Sequence, residues 1–118
     1  MTGRVVAVVG ASSDRRKFGN RAVRAFLRQG YDVKPVNPNE ETIEGLPVYP
    51  TIADVPGPVD IVSLYVPAAV GIGLLEAIAA KGPGEVWINP GADSAALEAR
   101  AKALGLSPIY ACSIVALG

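Results

Sequence analysis

The sequence predicts an α/β fold, with a doubly wound sheet of about five mostly parallel strands and helices on both of its faces. Two observations predict this class. Val5–Val9 is apolar at every position, a pattern typical of a strand that is buried on both faces of a parallel sheet. Further short apolar runs alternate with segments of helical spacing along the chain. Such alternation favours parallel strands joined by right-handed crossovers.

The strands are placed by apolar runs that end at turn-forming residues. We expect strands at residues 4–9, 32–36, 59–66, 85–89 and 107–111. Glycine or proline follows each of the first four runs within two residues, as is usual where a strand ends. Between the second and third strands, residues 43–49 predict a short extended excursion with a turn at Gly45. Residues 51–55 predict a single helical turn.

Three helices are predicted between these strands. The first covers residues 18–29, carries its apolar side chains on one face and ends at Gly30. The second covers residues 68–80 and ends at a segment rich in glycine and proline. The third starts near Asp93 and Ser94, which are common N-cap residues, and runs to residue 104.

Length and composition predict one domain, residues 1–118, without disulfides. A chain of 118 residues buries a core without cross-links, and its single cysteine fits a reducing compartment. The formal net charge of zero argues against nucleic-acid binding, which requires a basic excess. Because the chain has no histidine, it lacks His-dependent zinc sites and Ser-His or Cys-His nucleophile pairs. We therefore expect no metal site and no catalytic residue.

The hydropathy pattern predicts a cytoplasmic protein without membrane contact. No apolar stretch reaches the ~18–20 residues that a bilayer-spanning helix needs. The N-terminal segment Met1-Thr2-Gly3-Arg4 leads directly into the first strand and does not resemble a secretory signal.

The turn after the first strand predicts a phosphate-bearing ligand. Gly10, Ala11 and Ser12 form a small-residue turn, which allows backbone N–H groups and a helix N-terminus to face a phosphate. In a doubly wound sheet the ligand lies at the carboxyl ends of the strands, so the turns after the other strands join this edge. The edge then carries the basic run Arg15, Arg16 and Lys17, and the turns Asn37-Pro38, Val66-Pro67 and Asn89-Pro90-Gly91-Ala92.

NAD and FAD are the usual ligands of such an edge, and the sequence departs from their fingerprint. That fingerprint requires Gly-x-Gly-x-x-Gly after the first strand. Here Ser12 stands at the second glycine, and the next glycine is Gly19. The fingerprint also needs an acid at the end of the second strand, or an arginine for a 2′-phosphate, whereas this chain has Val36, Asn37 and Pro38 there. The long basic loop instead fits a ligand with more phosphate than one pyrophosphate.

Five motifs in order give the chain a resemblance to a known family. Together they resemble the small stand-alone CoA-binding proteins, which are Rossmann-like domains similar to the N-terminal module of the succinyl-CoA synthetase alpha subunit. The resemblance covers essentially the whole chain. The motifs are Val-Gly-Ala-Ser with Lys17-x-Gly19-Asn20; Gly30-Tyr31-x-Val33-x-Pro35-Val36-Asn37-Pro38; Gly45-x-x-Val48-Tyr49-Pro50; Val59-Asp60-Ile61-Val62; and Val86-Trp87-Ile88-Asn89-x-Gly91-Ala92.

The resemblance implies a coenzyme A site. In the family, the loop after the first strand cradles the CoA phosphates, and the turns after the second and third strands border the adenosine and pantetheine path. This implies contacts from Gly10, Ala11, Ser12, Lys17, Val36, Asn37, Pro38, Val66 and Pro67. We add Arg15, Arg16, Asn20, Asn89 and Gly91 as predicted cofactor-binding residues. The turn at Asn89 departs from the more usual Gln-x-Gly of the family.

We therefore predict that the protein binds coenzyme A or an acyl-CoA and has no catalytic machinery of its own. Two alternatives stay open at this point. One is the NAD(P)-binding domain of a minimal oxidoreductase, and the other is a CoA-responsive regulatory or scaffold subunit. The sequence identifies no protein partner.

Overall fold

A five-stranded parallel sheet forms the centre of the fold. The computed structural model describes residues 3–110 and 112–117. In chain order the strands are β1 (Val5–Val9), β2 (Asp32–Val36), β3 (Thr42–Ile43), β4 (Leu46–Pro47), β5 (Ile61–Leu64), β6 (Glu85–Ile88) and β7 (Pro108–Tyr110). The sheet has the order β2-β1-β5-β6-β7, and β3 and β4 form a separate antiparallel hairpin. The predicted fold class is confirmed.

Helices cover both faces of the sheet, as the sequence predicts. The helices are α1 (Phe18–Arg28), α2 (Ala68–Lys81), α3 (Ala95–Ala103) and α4 (Ser113–Ala116), with a 3-10 helix at Ile52–Asp54. On one face, Leu75 of α2 and Leu97 of α3 pack into a buried apolar cluster. On the other face, Phe26 of α1 packs into a second cluster, which the partly buried Ile114 of α4 adjoins. None of the described helices is long and apolar enough to cross a membrane.

The observed elements differ from the predicted ones mainly at their ends. The extended excursion is the β3–β4 hairpin, whose two turn residues, Glu44 and Gly45, both have positive φ (49° and 78°), as a tight hairpin turn requires. The Ser94 side chain caps α3 by accepting from the Leu97 N–H at 3.0 Å. Helix α4 was not predicted, because four residues are too few to show helical periodicity. Residues 1, 2, 111 and 118, which the predicted domain and last strand include, lie outside the described residues.

The strand order reverses at β1 and β5, and this reversal positions the site. The chain passes from β1 to β2 on one side and then crosses to β5 on the other side. The N–H of Gly10 donates to the Val36 carbonyl at 3.1 Å, and the N–H of Tyr65 donates to the Val9 carbonyl at 2.8 Å. The loops after β1, β2 and β5 therefore leave the sheet together, at the place where doubly wound folds bind ligands.

Candidate functional site

An open groove of about 910 Å³, here called the switch-point groove, lies at the carboxyl ends of β1, β5 and β6. Small residues of the loop after β1 form one wall, and the turns after β5 and β6 form the other. Most of the predicted site residues therefore lie around one space. Those in its walls are Gly10, Ala11, Ser12, Arg16, Lys17, Asn37, Val66, Pro67 and Gly91.

A second cavity of about 390 Å³, here called the apolar pocket, adjoins the groove. Val36 and Pro38, two further predicted residues, lie in its walls with Ile52 and Leu74. Gly10, Asn37, Asn39 and Val66 line both cavities, so the turn after β2 forms their common boundary together with the loops after β1 and β5. Three predicted residues, Arg15, Asn20 and Asn89, line neither cavity.

Two glycines allow the loop after β1 to pack tightly between β5 and α1. Gly10 has φ +90°, and a Cβ there would lie 2.6 Å from the Tyr65 carbonyl oxygen. A Cβ on Gly19 would overlap the Gly10 carbonyl oxygen, so only glycine lets α1 start this close to the loop. Gly19 thus provides the close helix packing that the third fingerprint glycine provides in dinucleotide-binding folds, although it stands later in the sequence.

The basic loop contains fewer available cations than its sequence suggests. The Arg16 guanidinium donates to both carboxylate oxygens of Asp14 at 3.1 Å, and Arg15 lies 3.5 Å from the Glu44 carboxylate. The side-chain hydrogen bond from Arg16 lowers the pKa of Asp14 to about 2, so this carboxylate is ionised at neutral pH. Among the described residues, Lys17 is the cation of this loop without an ion-pair partner.

Lys17 also stands at the N-terminus of α1. It is the N-cap residue of this 11-residue helix, and its side chain does not cap the helix. No acidic residue lies in the first turn. The N–H groups of a first helical turn have no acceptor within the helix, and the helix dipole favours an anion there. The groove wall at Lys17, Phe18 and Gly19 therefore suits a phosphate.

The Asn20 side chain is bonded to the loop after β1 and does not line the groove. It is fully buried. Its amide nitrogen donates to the Ser12 carbonyl at 2.9 Å, and its amide oxygen accepts from Arg24 Nε at 2.8 Å. The structure thus places Asn20 outside both cavities, where its side chain joins α1 to the loop after β1.

Asn89 likewise holds backbone segments together. It is fully buried, and its amide nitrogen donates to Ser63 Oγ at 2.9 Å and to the Leu64 carbonyl at 2.8 Å. Its amide oxygen accepts from the N–H and the hydroxyl of Ser113 at 2.8 and 2.9 Å. The structure thus places Asn89 outside both cavities, and both polar atoms of its side chain form hydrogen bonds that join β5, β6 and α4.

Glu40 is a residue of the groove wall that the sequence analysis did not identify. Its carboxylate accepts a hydrogen bond from the Ser13 N–H at 2.7 Å, within the loop after β1. The dinucleotide fingerprint has its acid at the end of the second strand, whereas Glu40 stands four residues beyond Val36. The sequence signal for Glu40 is therefore an acid within the turn after this strand.

Tyr65 is a titratable residue that lines the groove, although its hydroxyl is buried. Its hydroxyl is buried and has no hydrogen bond of normal geometry within the described residues, although it faces Ser113. Burial raises the pKa of Tyr65 to about 12. The phenol therefore stays protonated at neutral pH and is a poor nucleophile. Within residues 3–110 and 112–117, no group of three or more histidine, cysteine, aspartate or glutamate side chains is arranged to hold a metal ion.

Comparison with known families identifies the class of the chain. Residues 4–118 match the CoA binding domain family, and the chain belongs to that family. It is also similar to the alpha subunit of ADP-forming acetate–CoA ligase II from Pyrococcus furiosus, at 38% identity over 65 residues. That alignment covers 54% of this chain and 14% of the ligase subunit, so the chain spans a small part of the curated relative.

Solved structures agree with the family. A conserved hypothetical protein from Pyrococcus furiosus is similar with a TM-score of 0.88 and 33% identity, over 96% of this chain and 98% of the other. The dinucleotide-forming acetyl-coenzyme A synthetase 1 from Ca. Korarchaeum cryptofilum is similar with a TM-score of 0.77 and 29% identity. In that case the match covers 89% of this chain and 25% of the synthetase. The fold therefore occurs both as a small protein and within a larger enzyme.

Proposed function

We propose that this protein binds coenzyme A or an acyl-CoA in the switch-point groove. The observation that carries the proposal is the position of Lys17. Its ammonium group, which has no ion-pair partner among the described residues, the N-terminus of α1, which has no side-chain cap from Lys17, and the glycine loop after β1 all border one groove. A pyrophosphate placed there meets a positive charge and backbone N–H groups, the two features that fix phosphates in proteins.

The apolar pocket fits the base of the same ligand. Its walls are formed mainly by aliphatic and proline side chains, and a planar adenine ring is stabilised by burial among such groups. The ribose then lies at the boundary between the two cavities, where Asn37 and Asn39 of the turn after β2 line both of them. The pantetheine arm follows the groove wall along Val66 and Pro67 toward Gly91.

We also propose that the chain binds this ligand without transforming it. The chain has no histidine, and the hydroxyl of Tyr65 stays protonated at neutral pH. The similarity to acetate–CoA ligases supports the choice of ligand. It does not bring the ligase reaction to this chain, which matches 14% of the ligase subunit.

Thermal unfolding in the presence of a ligand panel tests the proposal. A ligand that binds only the folded state raises the melting temperature. We expect CoA and acetyl-CoA to raise it more than NAD, NADP, FAD or ATP do. Stabilisation by NAD without stabilisation by CoA would contradict the proposal and favour the dinucleotide alternative. Hydrolysis of acetyl-CoA by homogeneous protein would contradict the proposed absence of catalysis.

A further inference from the structure

Glu40 places a negative charge inside a site proposed to bind an anion. Its carboxylate accepts from the Ser13 N–H at 2.7 Å, a short distance that is typical of a charge-assisted hydrogen bond. No cation of the described residues forms an ion pair with it, because Arg15 and Arg16 are paired with Glu44 and Asp14. The carboxylate therefore lies in the groove wall without a partner cation among the described residues.

The backbone around Glu40 is fixed relative to the loop. The Asn37 amide nitrogen donates to the Ala11 carbonyl at 2.8 Å, and the Asn37 amide oxygen accepts from the Asn39 N–H at 2.7 Å. The first bond joins the turn after β2 to the loop after β1, and the second fixes the turn itself one residue before Glu40. A ligand that enters the groove meets this carboxylate in a set position.

We propose that Glu40 sets the ribose specificity of the site by favouring a free ribose hydroxyl over a ribose phosphate. This inference rests on the proposed function. With adenine in the apolar pocket and pyrophosphate at Lys17, the ribose lies beside Asn39 and hence beside Glu40. A ribose hydroxyl donates a hydrogen bond to the carboxylate, as it does to the acid of dinucleotide-binding folds.

A phosphate on the ribose has the opposite effect. It is mostly a dianion at neutral pH, and its charge repels the carboxylate. It must therefore displace Glu40 from the Ser13 N–H or stay away from it. Coenzyme A carries such a phosphate at the 3′ position and dephospho-CoA has a hydroxyl there, so this pair of ligands isolates the effect.

Calorimetric titration of both ligands into three proteins tests the inference. The proteins are the wild type, Glu40→Gln and the matched control Glu41→Gln, which removes the same charge from the exposed neighbouring residue. We expect Glu40→Gln to shift the affinity ratio toward CoA by about fivefold or more, the effect of one like-charge contact at about 4 Å in water. We expect no shift in Glu41→Gln. Glu40→Ala should shift the ratio in the same direction and serves if the glutamine variant does not fold.

The outcomes separate the two proposals. If the wild type binds both ligands and the ratio is unchanged in the Glu40 variants, or shifts equally in Glu41→Gln, the role of Glu40 is wrong and the proposed function stands. If the folded wild type does not bind coenzyme A, the proposed function itself is wrong, whatever its affinity for dephospho-CoA.

Discussion

The Asn37 side chain donates a hydrogen bond to the main-chain carbonyl of Ala11 at 2.8 Å, and this bond joins the turn after β2 to the loop after β1. The two segments come from neighbouring strands, so the bond holds one corner of the switch-point groove. Asn37 also lines both cavities. Loss of its side chain should therefore affect both the stability of this corner and the shape of the proposed site.

Replacing Asn37 by alanine should lower both stability and CoA affinity. The Ala11 carbonyl loses its donor, and the Asn39 N–H loses its acceptor. We expect the free energy of unfolding to fall by about 1–3 kcal/mol, the usual cost of leaving a buried polar group unpaired, because the bond to the Ala11 carbonyl is part-buried. Chemical denaturation measures this loss. The control is Asn39→Ala, an exposed position in the same turn, which should change stability much less.

Replacing Gly10 by alanine should destabilise the fold rather than block the ligand directly. The added Cβ would lie 2.6 Å from the Tyr65 carbonyl oxygen at a φ of +90°. Gly45→Ala is a matched control, because Gly45 also has positive φ (+78°) but its Cβ would meet nothing within 4 Å. We expect about 1–2 kcal/mol of destabilisation in the control from backbone strain alone. Gly10→Ala should cost about 1–3 kcal/mol more through overpacking, and equal losses in denaturation experiments would contradict this account.

Replacing Lys17 by alanine should weaken CoA binding, whereas replacing Arg15 should not. Lys17 lies in the groove wall without an ion-pair partner among the described residues, while Arg15 lies outside both cavities and pairs with Glu44. We expect a loss of about 1–3 kcal/mol for Lys17→Ala, the range of a charge-assisted hydrogen bond. Calorimetric titration measures it, and the wild-type affinity should fall with added salt. Equal losses in the two variants would show that only the overall charge of the loop matters.

The buried Tyr65 hydroxyl predicts a loss of stability in strong base. Burial raises the pKa of Tyr65 to about 12 from its ordinary value of 10.0. Above pH 10.0 the unfolded chain releases this proton before the folded protein does, so the free energy of unfolding falls as the pH rises toward about 12. The contribution is fully present below pH 10.0.

Denaturation across that pH window compares the wild type with Tyr65→Phe and with the control Tyr31→Phe. The Tyr65 variant should lose less stability with rising pH than the wild type does. The control should follow the wild type, because it retains Tyr65. A pH profile of Tyr65→Phe that matches the wild type would refute the assignment.

The fold was predictable because its signals are local. Apolar runs such as Val5–Val9 specify buried parallel strands without reference to the rest of the chain, and helix ends follow from residues such as Ser94. Helix α4 was not predictable in this way. It is held by the fully buried set of Ser63, Asn89 and Ser113, whose members lie 24 to 50 residues apart in sequence.

The candidate site was predictable in its position but not in its electrostatics. The strand order brings the loops after β1, β2, β5 and β6 to one edge, so most predicted residues lie around the two cavities. Composition could not show that two of the three cations of the loop, Arg15 and Arg16, form ion pairs with Glu44 and Asp14. Nor could it show that Glu40 reaches Ser13, because that contact depends on how the turn after β2 folds back.

An amide NMR titration with coenzyme A tests the central claim most directly, because it reports ligand contact residue by residue. The account predicts saturable shift changes at the amides of residues 10–12 and of Phe18 and Gly19, which line the groove around Lys17, and at the Ser13 amide, which donates to Glu40 in the groove wall. The same titration of Lys17→Ala should require more ligand to reach saturation. Unchanged amides in this loop at saturating CoA, or changes confined to β7 and α3, would contradict the account.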